Sequence, residues 1–318
     1  MSRAPFPAAS RPVATVQVDM DPVWYIAKCF DAGAAPGGDA RTIYELSVPL
    51  LLDAFAARGV RATFFIVGAD VEDARNIPYL ERIVAAGHEL ANHTYDHRID
   101  FKRQPEDVLR RDVDRCAEIL ERRLGVRPLG FKAPAYAASP ALFRHLEREG
   151  YLYDSSVHPN VAIPLVKAVQ RLWLRYDQGR TEFGSLACLR APLAAYRPDA
   201  ADIYRPGGMG LWEIPVSTMP LVRAPFHFSF VNVAGMPLFR LGAALHRYLG
   251  PGMVNYAFHA VDVLDATMLP PLVHRRLGMK KPSRLKLRHM DAVLAALTAG
   301  YAVRTGAEIA RGLDRPAA

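Results

Sequence analysis

The sequence predicts an α/β protein, a deformed (β/α) barrel of seven or eight units in a single domain over 13–312, with an irregular insertion after the fifth strand. Three observations predict it. Short apolar stretches of strand character alternate with amphipathic stretches of helical period from residue 13 onward. Glycine closes successive helical stretches, at Gly59, Gly87, Gly125, Gly150 and Gly300. The beat fails over one long stretch, 157–212, where Pro, Arg and aromatics mix with a Gly-Gly-Met-Gly tract, and this reads as an insertion or lid.

The elements follow in order. Over 13–20, Ala14, Val16, Val18 and Met20 alternate with Thr15, Gln17 and Asp19, which is a strand with a polar inner face. Leu46, Leu50, Leu51 and Phe55 give 43–58 a helical stripe, and Ala-Thr-Phe-Phe-Ile-Val at 62–67 is a short buried strand. Helix 78–86, strand 88–93, helix 105–124, strand 128–134, helix 140–149 and strand 151–155 continue the pattern. After the insertion come strand 211–216, strand 253–259, helix 284–299 and a closing strand-helix pair at 301–309. Flexible termini are expected at 1–12 and 313–318.

Of the 318 residues 51% are hydrophobic and 23% charged, too apolar for a disordered chain and enough for a large core. The formal net charge of +8 permits an anionic partner without requiring one. No apolar run of signal-peptide length precedes Val13 and no stretch reaches the ~20 clean apolar residues of a membrane span, so a cytoplasmic location is expected. Cys29, Cys116 and Cys188 are odd in number and widely spaced, and read as reduced, mostly buried thiols rather than a disulfide or thiolate-metal framework. No P-loop, dinucleotide fingerprint or serine-hydrolase elbow is present.

Residues two apart in a strand point the same way, so Asp19 and Asp21 project together from the C-terminal end of the first strand, where barrel active sites lie. Two carboxylates that close require a cation between them or a shared proton, unless they merely open the Asp21-Pro22 turn. His93 and His97, four apart after the third predicted strand, can clasp one ion if the segment turns helically. One aspartate and two histidines form an N,N,O set with open positions, suited to a divalent transition metal, Zn2+ first.

Taken together, Asp19-Met20-Asp21, His93-x-x-x-His97, Gly130-Phe131-Lys132-Ala133-Pro134, Tyr153-Asp154-Ser155-Ser156, Glu213-Ile214-Pro215 and Phe258-His259 resemble the polysaccharide deacetylase family, carbohydrate esterase family 4. The sequence is similar also to the branch of aminoarabinose-phosphoundecaprenol deformylases. The resemblance implies a NodB-like barrel and assigns roles by position. Asp21, His93 and His97 fall on the metal ligands, Asp19 on the catalytic base and His259 on the general acid. Lys132 stands where the family usually has arginine beside the base. Ala135 stands where an aromatic residue offers its backbone N–H to the oxyanion. An ammonium holds Asp19 by charge but lacks the planar bidentate fork of arginine. These departures bear on substrate fit more than on reaction type.

Tyr136, Asp154 and Trp212 are further expected to line the sugar site, with core packing the simpler reading for the aromatics. His88, His145, His158, His227, His246, His274 and His289 read as structural or surface groups, His158 standing nearest the mouth. Arg275, Arg276, Lys280, Lys281, Arg284, Lys286 and Arg288 crowd a short span after an apolar one. They form a solvated face, or else a surface for an anionic membrane or a lipid-linked phosphate. No reading motif for nucleic acid accompanies the charge. The function expected is metal-dependent removal of an acetyl or formyl group from the amide nitrogen of an amino sugar, free or polyprenyl-phosphate-linked. An amidase of small non-sugar amides and a non-catalytic glycan- or lipid-binding barrel are the alternatives.

Overall fold

Strand β1 (Val13–Asp19) is the centre of the architecture, hydrogen-bonded along its whole length to one neighbour and over its C-terminal half to another. The computed structural model describes residues 11–31, 42–98, 100–161 and 186–315. After β1 come α1 (Val23–Lys28), α2 (Ile43–Ala56), β2 (Thr63–Ile66), α3 (Gly68–Glu72), α4 (Ile77–Ala85), β3 (Glu89–Asn92) and α5 (Glu106–Leu124). The chain continues through β4 (Gly130–Phe131), α6 (Pro140–Arg148), β5 (Tyr153–Asp154) and β6 (Trp212–Glu213). It ends with α7 (Phe228–Ala234), α8 (Met236–Leu249), β7 (Met253–His259), α9 (Ser283–Gly300), β8 (Ala302–Val303) and α10 (Gly306–Leu313).

The strands run β6-β5-β4-β3-β2-β1-β7, every pair parallel, with β8 beside the start of β1. Side chains bridge the gap between the two ends of this curled sheet. Ser217 N donates to Asn255 O (3.0 Å), Asn255 N to Ser217 Oγ (2.8 Å), and Asn255 Nδ2 to Ile214 O (2.9 Å). Inside, Ser155 Oγ donates to Gln17 Oε1 (2.9 Å) and accepts from Asn255 Nδ2 (2.9 Å), tying β1, β5 and β7 across the lumen. The expected deformed barrel is therefore present.

Local sequence explains the helices. Thr42 and Glu45 make a capping box at the start of α2, and Ser139 with Pro140 opens α6. Acidic Glu106 and Asp107 begin α5, basic Arg122 and Arg123 end it, and Gly125 closes it at φ 66°. The packed layer between α2 and the sheet includes Phe55, Phe64 and Phe258, all fully buried, with Phe55 edge-on to both of the others.

Three expectations change. The predicted strands at 128–134, 151–155 and 211–216 shrink to two residues each; Pro128 and Pro134 remove ladder donors around β4, and Pro215 does so after β6. The apolar stretch after β6 holds α7 and α8, a pair of helices unforeseen in the sequence, separated by Gly235 at φ 86° with Pro237 in the first turn of α8. Of the expected lid at 157–212, the described residues 186–211 reach the edge of the sheet, where Tyr196 pairs antiparallel with Glu213 of β6 through backbone hydrogen bonds of 3.0 and 2.8 Å. Residues 162–185 lie outside the described residues, as do 1–10 and 316–318 of the expected flexible termini. The described ends are anchored: Arg11 Nη2 donates to Thr298 O (2.6 Å), and Asp314 accepts from Arg197 Nη2 (2.6 Å).

Candidate active site

The C-terminal ends of β1, β3, β4 and β7 converge. Register places Asp19 beside both Phe65 and His259, so the residues expected as base and acid leave adjacent strands at the same height. Asp21 follows two residues on, and His93 exits β3. The turn carrying His97 is irregular rather than helical. Thr94 and His97 take left-handed φ of 65° and 45°, a conformation that costs a non-glycine residue energy and persists only when its surroundings impose it. Asn92 imposes it: Oδ1 accepts from Thr94 N (2.8 Å) while Nδ2 donates to Val113 O and Tyr151 Oη (both 2.8 Å).

Asp21 Oδ1 lies 3.4 Å from His93 Nε2 and 3.2 Å from His97 Nε2, and the two imidazole nitrogens are 3.2 Å apart. These donors fit a divalent ion. Tetrahedral zinc with bonds of about 2.0–2.1 Å spaces its ligand atoms about 3.3–3.4 Å apart, which is the size of this triangle. His93 Nδ1 donates to Lys132 O (2.7 Å), which fixes the tautomer and turns the Nε2 lone pair toward the centre. The Tyr25 ring, 4.0 Å from that of His97, walls the second imidazole. Burial holds His97 below its ordinary value, hence neutral and able to ligate. Burial of Asp21 favours its neutral form, but His97 and His93 outweigh it and the carboxyl is held well below the usual range.

Asp19 faces this cluster from one side. Lys132 Nζ donates to its Oδ1 (2.7 Å) and sits 4.4 Å above the Phe65 ring, both partners almost wholly buried. On the other side, His259 Nε2 is 4.0 Å from Asp19 Oδ2 and 3.9 Å from Asp21 Oδ2. Its Nδ1 is 3.0 Å from Ser229 Oγ, whose hydroxyl donates to Asp262 Oδ2 (2.7 Å), so the Nδ1–H must be the donor there. Asp262 also accepts from His259 N (2.9 Å) and pairs with Arg276 (3.2 Å). Burial opposes protonation of His259, yet Asp262 and Asp21 prevail and its pKa is raised. Asp262 itself is held well below the carboxylate range by His259 and Arg276 against its burial.

Ser229, Asp262 and Arg276 were not foreseen. Asp262 left one legible trace, the His-x-x-Asp spacing that a tight turn folds back on itself. Arg276 had been read within the basic run, which the fold divides. Arg275 stacks on Phe30 at 5.3 Å, Arg276 turns to Asp262, and Lys286 is fully buried against Leu264 O with its pKa lowered to about 8 by burial. Arg276 and Lys286 thereby leave the basic run, while Arg275, Lys280, Arg284 and Arg288 stay exposed.

The expected sugar-lining residues separate. Tyr136 reaches the mouth, its ring 4.9 Å from that of His158, and it follows Ala135, both in left-handed conformation at φ 58° and 51°. Asp154 does not. It pairs in register with Phe131 and Glu213 on the outer face of the sheet, fully buried, accepting from Ser156 N (2.7 Å) and Oγ (2.8 Å). Trp212 opens β6, at the strand end away from the mouth, and its indole donates to Asp314 (2.9 Å) beneath the Arg197 guanidinium. Neither is positioned to touch a ligand in the mouth. His227, read as structural, joins His158 there at 5.6 Å.

Residues 21–153 match the family model described as polysaccharide deacetylase. The chain carries a domain of the polysaccharide deacetylase family. It is 29% identical over 220 residues to a peptidoglycan deacetylase of Helicobacter pylori, a match covering 68% of this chain and 71% of that protein. A chitooligosaccharide deacetylase of Sinorhizobium fredii is 30% identical over 159 residues, 50% of this chain and 65% of the relative. Two other curated relatives are matched over only 28% and 30% of their lengths. Among solved structures, a polysaccharide-deacetylase candidate from Mycobacterium smegmatis superposes with a TM-score of 0.63 at 19% identity, covering 100% of this chain and 99% of the other. That likeness establishes the NodB-like barrel. No described helix is long and apolar enough to cross a membrane.

Proposed function

We propose that this chain hydrolyses the amide bond joining an acetyl or formyl group to the nitrogen of an amino sugar within a glycan or glycan precursor. The observation that carries the reading is that one Asp–His–His triangle is flanked by a tethered carboxylate and a carboxylate-backed imidazole. A divalent transition ion held by Asp21, His93 and His97, zinc by donor type, would supply Lewis acidity and acidify water at the site.

The remaining steps belong to the protein. Lys132 donates to Asp19 Oδ1 and aims it, so that Asp19 takes a proton from the attacking water. Asp262 and Ser229 hold the Nδ1 edge of His259, leaving Nε2 to hand a proton to the departing amine. An amine leaves only once it gains that proton. The products are a carboxylate and a free amino sugar, which balances the water consumed. Ala135, held in a left-handed turn beside Tyr136, is the residue whose N–H is assigned to the developing oxyanion. The likeness to a peptidoglycan deacetylase of Helicobacter and a chitooligosaccharide deacetylase of Sinorhizobium supports deacetylation of a glycan.

The test is to incubate zinc-loaded protein with chitooligosaccharides, peptidoglycan fragments and polyprenyl-phosphate-linked acylated sugars while following acetate, formate and free amine. Release is expected, lost on chelation, restored by metal, and absent from Asp19→Asn protein that still binds metal stoichiometrically. Metal-replete protein that releases nothing from the whole panel would overturn the reading in favour of a small-amide hydrolase or a binding barrel.

A further inference from the structure

We infer that His158 and His227, together with Tyr136, form a subsite that reads an uncharged hydrogen-bonding group of the substrate, a sugar hydroxyl near the acylated nitrogen. The inference rests on the proposed hydrolytic reading and narrows its substrate class. Its basis is a contrast between a fastened main chain and an idle ring. Around His158 the backbone is tied at every point. Asp154 takes the N–H and hydroxyl of Ser156, Glu213 Oε1 accepts from Val157 N (3.1 Å), and His158 O accepts from Cys188 Sγ (3.1 Å) and Asn160 N (2.8 Å).

The imidazole that this scaffold holds is 4% exposed, yet its Nε2 has no hydrogen-bond partner. The His227 ring, its centroid 5.6 Å away, belongs to a half-buried residue, but its Nδ1 is enclosed and likewise has no partner. Such an atom has given up its water without a replacement, which destabilises the fold. The neighbours of the two rings are Tyr136 and Phe230, so phenylalanine would pack here without that cost. A nitrogen kept against this penalty is kept for something that arrives.

The place fits substrate. His158 feels the charges of Lys132 and His259, and His227 those of His259 and Asp19, so the pair lies within electrostatic reach of both the base and the acid. Burial holds both imidazoles below their ordinary value, His227 at about 4. Both are therefore neutral near pH 7, each offering one N–H and one lone pair. A hydroxyl, which donates and accepts, complements that pair. A carboxylate or phosphate, which only accepts, gains little from it.

The experiment compares wild type, H158F, H158Q and H227F on a chitooligosaccharide and on its analogue lacking one ring hydroxyl at the acylated residue. H158F is expected to lower kcat/KM about tenfold on the hydroxylated substrate, mainly through KM, with a loss below about twofold on the deoxy analogue, as for one lost hydrogen bond. H158Q recovers part of the activity. The melting temperature of H158F is expected to equal or exceed that of wild type, because the substitution deletes an unmet polar atom. Activity lost together with a melting temperature lowered by several degrees, or equal kcat/KM for wild type and H158F on every substrate, overturns the subsite and leaves the hydrolytic reading standing. Calorimetric binding of the oligosaccharide to Asp19→Asn protein, with and without H158F, tests the subsite apart from turnover. Weaker binding in the double variant supports it, and equal affinity overturns it even if no acyl release is found.

Discussion

The two walls of this barrel aim their functional groups by different means. On the wall made by β1, β2, β3 and β7 the strands are four to seven residues long, and ladder register alone brings Asp19 level with His259 and His93 to the mouth. On the wall made by β4, β5 and β6 the strands have two residues each, and side chains do the positioning. There Asp154, Ser156 and Glu213 fix the loop to His158, while Ser156 Oγ accepts from Ala133 N (2.8 Å) and so also steadies the turn to Ala135 and Tyr136. The groups proposed for a chemical role sit mainly on the ladder wall. Those that would meet the substrate sit on the other. A ladder cannot shift one residue without turning every side chain over, whereas a loop held by hydrogen bonds can be rebuilt locally.

The largest expected effects therefore lie on the ladder wall. His93→Ala or Asp21→Ala removes one of three ligand atoms in a triangle barely larger than an ion's coordination sphere. Bound zinc measured by metal analysis is expected to fall below stoichiometric, with acyl release down at least about 10³-fold, since both base and acid act on a site that no longer assembles. Full zinc occupancy in either variant would break the assignment of that wall. Lys132→Met comes next, because it joins the walls: it reaches from β4 to the β1 carboxylate and is 1% exposed. Removing one partner of so buried a pair leaves an uncompensated charge, and about 3–5 kcal/mol of stability should disappear in urea titrations near pH 7. A loss below 1 kcal/mol would show that solvent reaches Asp19.

Asp262→Asn sharpens the comparison from the acid's side. A general acid works while protonated, so activity falls as pH rises through its pKa. Asp262 is a chief cause of the upward shift of His259, and it acts by hydrogen bond and charge. Replacing it should move the alkaline limb of the kcat/KM profile to lower pH and reduce the plateau about 10- to 100-fold, as measured for partners one step removed from a reacting group. An unmoved limb would mean that another group sets it.

The difference between the walls also explains what the sequence made legible. Strand β1 and the HxxxH pair were readable because alternation and spacing are local patterns, and β7 was bounded correctly at both ends because its apolar run is unbroken by proline. Asp154 and Trp212 were misplaced for a common reason. In a two-residue strand there is no alternation to say which face a side chain takes. Arg276 and Ser229 come from segments whose ends are fixed only by tertiary packing, so nothing in their neighbourhood marks them as partners of His259. The helices after β6 were hidden in a stretch that Pro220, Pro225, Gly235 and Pro237 break into short pieces, so that no long helical period stands out.

The smallest expected effect is the most discriminating for the side-chain wall. Glu213 and Asp154 face each other fully buried, and burial, then the neighbouring Asp154 carboxyl, raises Glu213 well above the usual range. Near pH 7 Glu213 is therefore the neutral acid, and what it contributes to the His158 loop is a carbonyl-type oxygen accepting from Val157 N. Glutamine retains that oxygen and the neutrality. Glu213→Gln should consequently change stability by no more than about 1 kcal/mol and leave kcat/KM within about twofold, whereas Glu213→Ala, which strips the acceptor from a buried N–H, should cost about 1–3 kcal/mol. A loss as large for glutamine as for alanine would mean that the buried group is ionised, and that the second wall is held by charge after all rather than by neutral hydrogen bonds.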